Sequence, residues 1–400
     1  MRVLETRRPR DRAAIERCIT RDPSRNQAVA RQAARIVADV RAGGDRAVLD
    51  WRRRLDGDRS PLIVDATAIE AGWRATAAEV RRAIRRAARH IARVAEAQRP
   101  PGFVVTPAPG VRIEQRVVPL DRTGCYVPGG RFPLPSTLLM TAIPARVAGV
   151  REVIVTCPNP SPVVLAAARE AGVTRIFRIG GAQAIAAMAY GTATVPRVDK
   201  IAGPGNAWVA AAKRLVAPDC AIDLHAGPSE IAIYSDAMRA DWIAADLIAQ
   251  AEHDSDARAI FVTTRVALAR AVAAGLTRQA TVIVARSHDE AIALINRIAP
   301  EHAVCDSPAI ARTIVAGTIF VGRWSAQAAG DYATGSNHVL PTGGAARVRG
   351  GLSAADFVRS YTIQTLSRRG IRAVGPAAAT LADAEGLAGH AASIRKRLQS

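Results

Sequence analysis

The sequence predicts an α/β protein built from two parallel-sheet units, with helical segments at both ends. Three observations predict it. From about residue 150 onward, short β-rich apolar runs alternate with single helical patterns, and strands separated by single helices imply parallel sheets with right-handed crossovers. Glycine-rich turns join several of those strands to the helix that follows. Before residue 100, apolar residues recur at spacings of three and four, which is helical rather than strand periodicity.

In chain order, residues 1–100 form a helical region, with amphipathic helices expected over 26–42 and 66–96 and a break at Pro100-Pro101. Residues 101–228 form the first unit. Its strand at 151–156 leads to a helix over 163–171, and the strand at 173–179 passes through Gly180-Gly181 into a helix over 182–189. Residues 198–202 then lead through Gly203-Pro204-Gly205 into a helix over 206–216. Residues 229–365 form the second unit: strand 231–234, helix 241–253, strand 258–263, helix 266–275, strand 281–285 and helix 288–297. Residues 366–400 form a C-terminal arm carrying Glu385 and His390, too rich in ionisable groups for a merely frayed end.

Composition excludes several classes. Of 400 residues, 49% are hydrophobic and 22% charged, a globular rather than a disordered balance. No apolar run is long enough to span a bilayer and no apolar signal segment follows the basic start, so no membrane association and a cytoplasmic location are expected. The net charge of +20 is almost entirely arginine, with lysine only at Lys200, Lys213 and Lys396. These arginines are spread along helical stretches rather than interleaved with aromatics on one face, so they read as solvated surface and not as a nucleic-acid site. The five cysteines are widely spaced without a Cys-x-x-Cys pair, which argues against a disulfide framework or a thiolate zinc site. Cys305, close to His302, reads as a packed core thiol before it reads as a nucleophile.

Three features carry chemistry. The turns GGAQA (180–184) and GPGN (203–206), with YVPGGR (126–131) upstream, connect strands to helices where small residues let backbone amides approach a phosphate. Together they favour a nucleotide pocket. Gln250 and His253 in AQAEHD lie three apart and share a helix face; Asp331, His338 and His390 offer further nitrogen and oxygen donors, and a cysteine-free set with an open position would be catalytic. Glu301 and His302 in APEHA are adjacent just after a helix. In a loop at a strand edge both can face one pocket, where they make a usable proton-transfer pair.

Taken together, these segments resemble the histidinol dehydrogenase family. The resemblance runs from ADVRAGGDRAVLDWRRRLDG (38–57) to EGLAGH (385–390), through YVPGGRFPLPSTLLMTAIPARVAGV, GGAQAIAAMAYGTATVPRVDKIAGPGN, AGPSE, DLIAQAEHD, NRIAPEH and GDYATGSNHVLPT. It implies two incomplete Rossmann-like, aldehyde-dehydrogenase-like units with small terminal arms, in an intertwined homodimer. It implies oxidation of an amino alcohol, L-histidinol, through a bound aldehyde to the acid, with two NAD reduced in turn. By the same resemblance one zinc per subunit is held by Gln250, His253, Asp331 and His390 and in turn binds substrate. Ser229 and Glu385 help bind that substrate, alongside His302. Tyr126, Gln183 and Asn206 contact NAD. His302 takes the alcohol proton, Glu301 activates the water that adds to the aldehyde, and His302 assists the second oxidation. The arm would carry Glu385 and His390 into the partner subunit's site. Thr123, Cys125, Phe132 and His225 depart from the family pattern, near but not at these positions, and the chain is somewhat short. The alternative is a paralogue using the same machinery on another small polar alcohol, such as a sulfonated propanediol; a basic nucleic-acid-binding protein is the reading from a different class, and it explains none of the motifs.

Overall fold

The computed structural model describes residues 3–20, 27–129, 133–224, 227–252, 256–277 and 279–399. His253, Phe132 and His225, singled out above, lie outside the described residues.

The chain opens with β1 (Val3–Glu5), α1 (Pro9–Ile19), α2 (Gln27–Asp56), β2 (Ile63–Val64), α3 (Ala66–Ala75) and α4 (Ala78–Ala97). The expected helices are present, but two short strands join them, and both pair with distant segments. β1 lies parallel to residues 282–284 at an edge of the second sheet, and β2 lies antiparallel to residues 176–177 at an edge of the first. Strands of three and two residues are too short to produce a period of their own. α2 continues past residue 42 because Gly44 takes φ +53° inside it, kinking the helix rather than ending it.

Next come β3 (Phe103–Ala108), β4 (Val111–Pro119), β5 (Arg122–Tyr126), α5 (Pro135–Ala148), β6 (Glu152–Thr156), α6 (Pro162–Glu170), β7 (Ile176–Phe177), α7 (Gly181–Tyr190), β8 (Lys200–Ala202), α8 (Ala207–Val216) and β9 (Ala221–Ile222). The first six-stranded sheet has the order β2-β7-β6-β5-β8-β9. Its chain starts at β5, winds outward to β7, then returns beside β5 as β8. That reversal is the switch point at which α/β sheets open a ligand crevice beyond their carboxyl ends. Side chains alternate across β5: Cys125 enters the core shared with α4, α5 and α6, whereas Tyr126 enters the core shared with α2, α7 and α8.

The second half contains β10 (Glu230–Tyr234), α9 (Ala240–Gln250), β11 (Arg258–Thr263), α10 (Val266–Gly275), β12 (Thr281–Val284), α11 (His288–Ile298), β13 (His302–Cys305), α12 (Pro308–Ala311), β14 (Thr318–Val321), α13 (Gln327–Tyr332), β15 (Val358–Leu366), α14 (Arg368–Ala384) and α15 (Ala388–Leu398). The second sheet is parallel throughout, in the order β1-β12-β11-β10-β13-β14. It repeats the outward-then-return winding about β10. Every residue of β10 is buried, as expected of a strand covered on both faces. β15, β4 and β3 form a separate antiparallel sheet, which the strand–helix alternation did not predict. α14 packs on this sheet and α15 on α14.

Candidate active site

Chemistry concentrates at the amino ends of β10 and β13, which pair in parallel with Ile231 opposite His302. α11 ends at Ala299, whose φ of +44° is the only positive value for a described residue other than glycine. This left-handed step turns the chain sharply before Pro300, so that Glu301 and His302 both enter the interior at the sheet edge. Glu301 accepts a hydrogen bond from the Glu230 backbone N–H (3.0 Å). His302 Nδ1 lies 3.3 Å from the Glu230 carbonyl, an acceptor, so this nitrogen donates and Nε2 is left as the basic atom. Nδ1 is also 3.7 Å from Glu301 Oε2, and Nε2 is 3.6 Å from Asp331 Oδ1.

Burial sets the acidities. Glu301 is 6% exposed, and desolvation pushes its carboxyl up to about 7 despite the opposing pull of His302. Desolvation of His302 favours its neutral form, but Asp331, Glu301 and the Glu230 carbonyl together outweigh it and raise the imidazole above its ordinary value. A carboxyl and an imidazole whose proton affinities are both raised, side by side in a buried site, suit successive proton transfers.

Asp331 is fixed on α13, where Oδ2 accepts from Gln327 Nε2 (2.8 Å). Its backbone carbonyl accepts from His338 Nδ1 (2.9 Å), and His338 Nε2 reaches Thr137 Oγ1 on α5 (3.4 Å). Asn337 adds a bond from Nδ2 to the Met140 carbonyl (2.6 Å). α5 starts just beyond the carboxyl end of β5, so these bonds dock the carboxyl side of the first sheet onto the amino side of the second. Gln250, the last residue of α9, is fully buried, and neither amide atom has a hydrogen-bond partner among the described residues. An orphaned amide in a dry interior is costly unless something supplies its partner, and a cation supplies one. Among the described residues no group of three or more His, Cys, Asp or Glu side chains is placed to hold a metal ion. Of the four donors implied above, one is a glutamine, His253 is outside the described residues, and His390 is on the arm.

Ser229 is half-buried just before β10, at the same edge as Glu301. Glu385 and His390 are exposed at the end of α14 and on α15, the helices packed on the three-stranded sheet rather than at this edge. Cys305 and Cys125 are buried, with burial raising both thiols; neither has the low pKa of a nucleophile.

A cavity of about 380 Å³ opens at the switch point of the first sheet. Tyr126, Gln183 and Asn206 all line it, with Gly180 and Gly181 at the start of α7. The Tyr126 hydroxyl accepts from Gly181 N (3.1 Å). Gly181 needs its freedom: φ is +61°, and an added Cβ would meet Gln183 Oε1 at 2.7 Å. Gln183 Oε1 is itself buried without a hydrogen-bond partner among the described residues. Asn206 caps α8 through Oδ1, accepting from Val209 N (3.1 Å), which leaves its amide N–H₂ for a ligand. Asp56 and Trp208 also line the cavity. Sequence reasoning did not reach them; the only local signal is Gly57, which marks where α2 must stop.

The Gly203 turn is held from below. Lys213 and Asp223 form a fully buried ion pair; Lys213 Nζ donates to the Gly203 carbonyl (2.8 Å) and Asp223 accepts from Gly203 N (2.7 Å). Both peptide groups of this residue, at φ +122°, are thereby fixed.

The family model described as histidinol dehydrogenase matches residues 19–398. This chain belongs to the histidinol dehydrogenase family. A histidinol dehydrogenase of Cereibacter sphaeroides is 45% identical over 99% of the chain and 98% of its own length, and one of Geobacter sulfurreducens is 43% identical over the whole of both. The crystal structure of histidinol dehydrogenase from Elizabethkingia anophelis superposes with a TM-score of 0.93 at 30% identity, covering 100% of this chain and 98% of that one. Lactaldehyde dehydrogenase from Escherichia coli superposes with a TM-score of 0.50 at 12% identity over 85% of this chain and 91% of that one, a likeness of fold alone. The fold of this family member is thus the aldehyde-dehydrogenase-like α/β arrangement, and family membership makes it an oxidoreductase. Among its described residues no helix is long and apolar enough to cross a membrane.

Proposed function

We propose that the chain is a zinc-requiring, NAD-dependent histidinol dehydrogenase, acting in cytoplasmic histidine biosynthesis, which oxidises L-histidinol through histidinaldehyde to L-histidine and reduces two NAD. The observation that carries the reading is the buried Glu301–His302 pair at one sheet edge, an adjacent carboxyl and imidazole whose proton affinities are both raised.

The residues fit both groups the reaction calls for. The unpartnered Gln250 amide and the Gln327-oriented carboxylate of Asp331 suit a metal with mixed oxygen and nitrogen ligands; with His253 and His390 they would hold one zinc. The unpartnered Gln183 oxygen and the α7 amino end suit a dinucleotide over Tyr126 and Asn206. When bound, zinc anchors the amino alcohol by its nitrogen donors and NAD accepts hydride.

The protein's own part is proton management. His302 Nε2 removes the hydroxyl proton as hydride leaves the adjacent carbon, giving the aldehyde. Glu301 as carboxylate then takes a proton from water while the water oxygen bonds to the aldehyde carbon, and His302 returns its proton to the former carbonyl oxygen. Glu301 releases its proton to solvent. His302 next removes a proton from the hydrate as the second hydride leaves, giving the acid. Ser229, just before β10 at the same edge as Glu301, would help bind the substrate. Glu385 and His390 would come from a second copy in a homodimer with shared sites. Supporting that arrangement, β15 and β3 leave apolar side chains such as Phe103, Val104, Tyr361 and Ile363 exposed, a large apolar surface for an isolated chain.

The test is NADH formed per L-histidinol consumed by purified, zinc-loaded protein. Two NADH per histidinol, abolished by a chelator and restored by zinc, is the expected result. No turnover from a dimeric, zinc-bound protein would overturn the assignment and point to another small polar alcohol, such as a sulfonated propanediol.

A further inference from the structure

Asp56 is the one charged side chain among the described residues lining the cavity at Tyr126. Its position is unfavourable on stability grounds alone. It is the last residue of α2, where the helix carbonyls concentrate negative potential and a carboxylate is disfavoured. Partial desolvation raises the Asp56 pKa against the pull of Arg52, and nearby Asp58 adds a smaller repulsion. Arg52 gives little further help, because its buried guanidinium is committed to Asp58, to the Ser60 carbonyl (2.7 Å) and to Ser60 Oγ (2.9 Å). Asp56 accepts no hydrogen bond from a described residue. Asp56 is exposed, so its carboxylate is hydrated rather than locked into the fold, and at the wall of the cavity it is free to accept from a ligand with hydrogen-bond donors.

The two walls of the cavity differ in kind. At Gly180-Gly181 the ten-residue helix α7 presents its amino end, the favourable place for a pyrophosphate. The Asp56 wall repels phosphate and welcomes hydroxyls. It also lies on the side of the first sheet that carries α2, α7 and α8, whereas α5, which docks the second unit through Thr137, belongs to the opposite side. A dinucleotide whose reactive ring points toward His302 therefore leaves its adenosine half toward α2.

We propose that Asp56 receives the 2′ and 3′ hydroxyls of the adenosine ribose and excludes dinucleotides bearing a 2′-phosphate. This rests on the reading that the cavity takes NAD. A carboxylate can accept from both hydroxyls of a vicinal diol, whereas a 2′-phosphate would set nearly two further negative charges against it.

The experiment is fluorescence titration of the purified full-length protein with NADH and NADPH, without substrate, for wild type, Asp56→Asn and Asp56→Glu. Wild type is expected to favour NADH by tenfold or more. Asp56→Asn should weaken NADH several-fold, tighten NADPH, and bring the two affinities within about threefold; Asp56→Glu should keep the wild-type order. Undiminished discrimination in a folded Asp56→Asn protein overturns the proposal, as does wild-type preference for NADPH. Wild type that binds neither nucleotide removes the NAD reading of the cavity itself, and is told apart by that failure from loss of discrimination in the variant alone.

Discussion

Replacing Lys213 by methionine tests whether the Gly203 turn is held by charge rather than by packing. The side-chain volume is nearly conserved, so little is expected from cavity formation. What is lost is the ammonium that pairs with Asp223 and donates to the Gly203 carbonyl at 2.8 Å. Asp223 is fully buried and keeps only the backbone donors of Gly203 (2.7 Å) and Leu224 (2.6 Å). Removing one partner of a buried pair costs about 3–5 kcal/mol, because the remaining charge is stranded. The orphaned Gly203 carbonyl would by itself cost about 1–3 kcal/mol, but the two losses overlap and are not summed. Urea unfolding followed by circular dichroism reads the loss as a fall in midpoint at unchanged slope. The double variant Lys213→Met, Asp223→Asn removes the stranded charge while the amide oxygen still accepts from Gly203, so it should recover about 1–2 kcal/mol of the single variant's loss. A single variant within about 1 kcal/mol of wild type, or a double variant no more stable than the single, would refute the argument.

Four further outcomes follow from the site. Glu301→Gln should retain zinc while slowing hydration of the aldehyde by about 10²–10⁴-fold, so that quenched-flow analysis finds one NADH per histidinol in the first turnover; loss of metal, measured by atomic absorption, would show a different role. Gln250→Leu should lower zinc content yet stabilise the chelator-treated protein by about 1–3 kcal/mol, since it removes a buried unpaired amide; destabilisation of the metal-free protein would count against that. Asp246, four residues before Gln250 on α9, has its carboxyl raised by burial to about 6. The folded state therefore holds this proton more tightly than the unfolded chain, and stability falls as pH climbs from about 4 through 6, by at most about 2–3 kcal/mol. Asp246→Asn should flatten that slope, matching wild type near pH 4 and exceeding it near pH 8 in thermal unfolding; parallel curves would exclude the effect. Mixing Glu301→Ala with His390→Ala, each inactive alone, should restore activity in mixed dimers if the arm serves the partner's site, and no recovery in verified mixed dimers would place His390 in its own subunit's chemistry.

Strand–helix alternation made the two larger sheets legible because central strands such as β10 are buried on both faces and so read as apolar runs, as Ile231 to Tyr234 does. The third sheet escaped for the opposite reason. β15 is exposed along almost its whole length, so Tyr361 and Ile363 stand singly among polar residues such as Arg359 and Gln364 rather than in the continuous apolar run that marks a strand buried on both faces. Its partners are also about 250 residues away. β1 and β2 failed on length. Within the site, Glu301 and His302 were legible as a dipeptide whose adjacency asks for an explanation. Asp56 was not, because its significance depends on the end of α2 meeting the start of α7, more than a hundred residues later.

The two sheets wind alike but are used in opposite senses. The first opens its cavity beyond the carboxyl ends of β5 and β8, where the winding of an α/β sheet ordinarily leaves a crevice. The second places Glu301, His302 and Ser229 at the amino ends of β10 and β13, where winding alone opens nothing. That edge becomes a site only because the left-handed step at Ala299 aims two adjacent side chains inward, and because His338 and Asn337 fasten it to α5. On the proposed reading, hydride transfer would require donor and acceptor carbons in contact, and the join at α5 would set the distance between the cavity at Tyr126 and the Glu301–His302 pair. The GSNH segment, whose Asn337 and His338 reach α5, would then be as necessary to that reaction as the groups proposed to move protons.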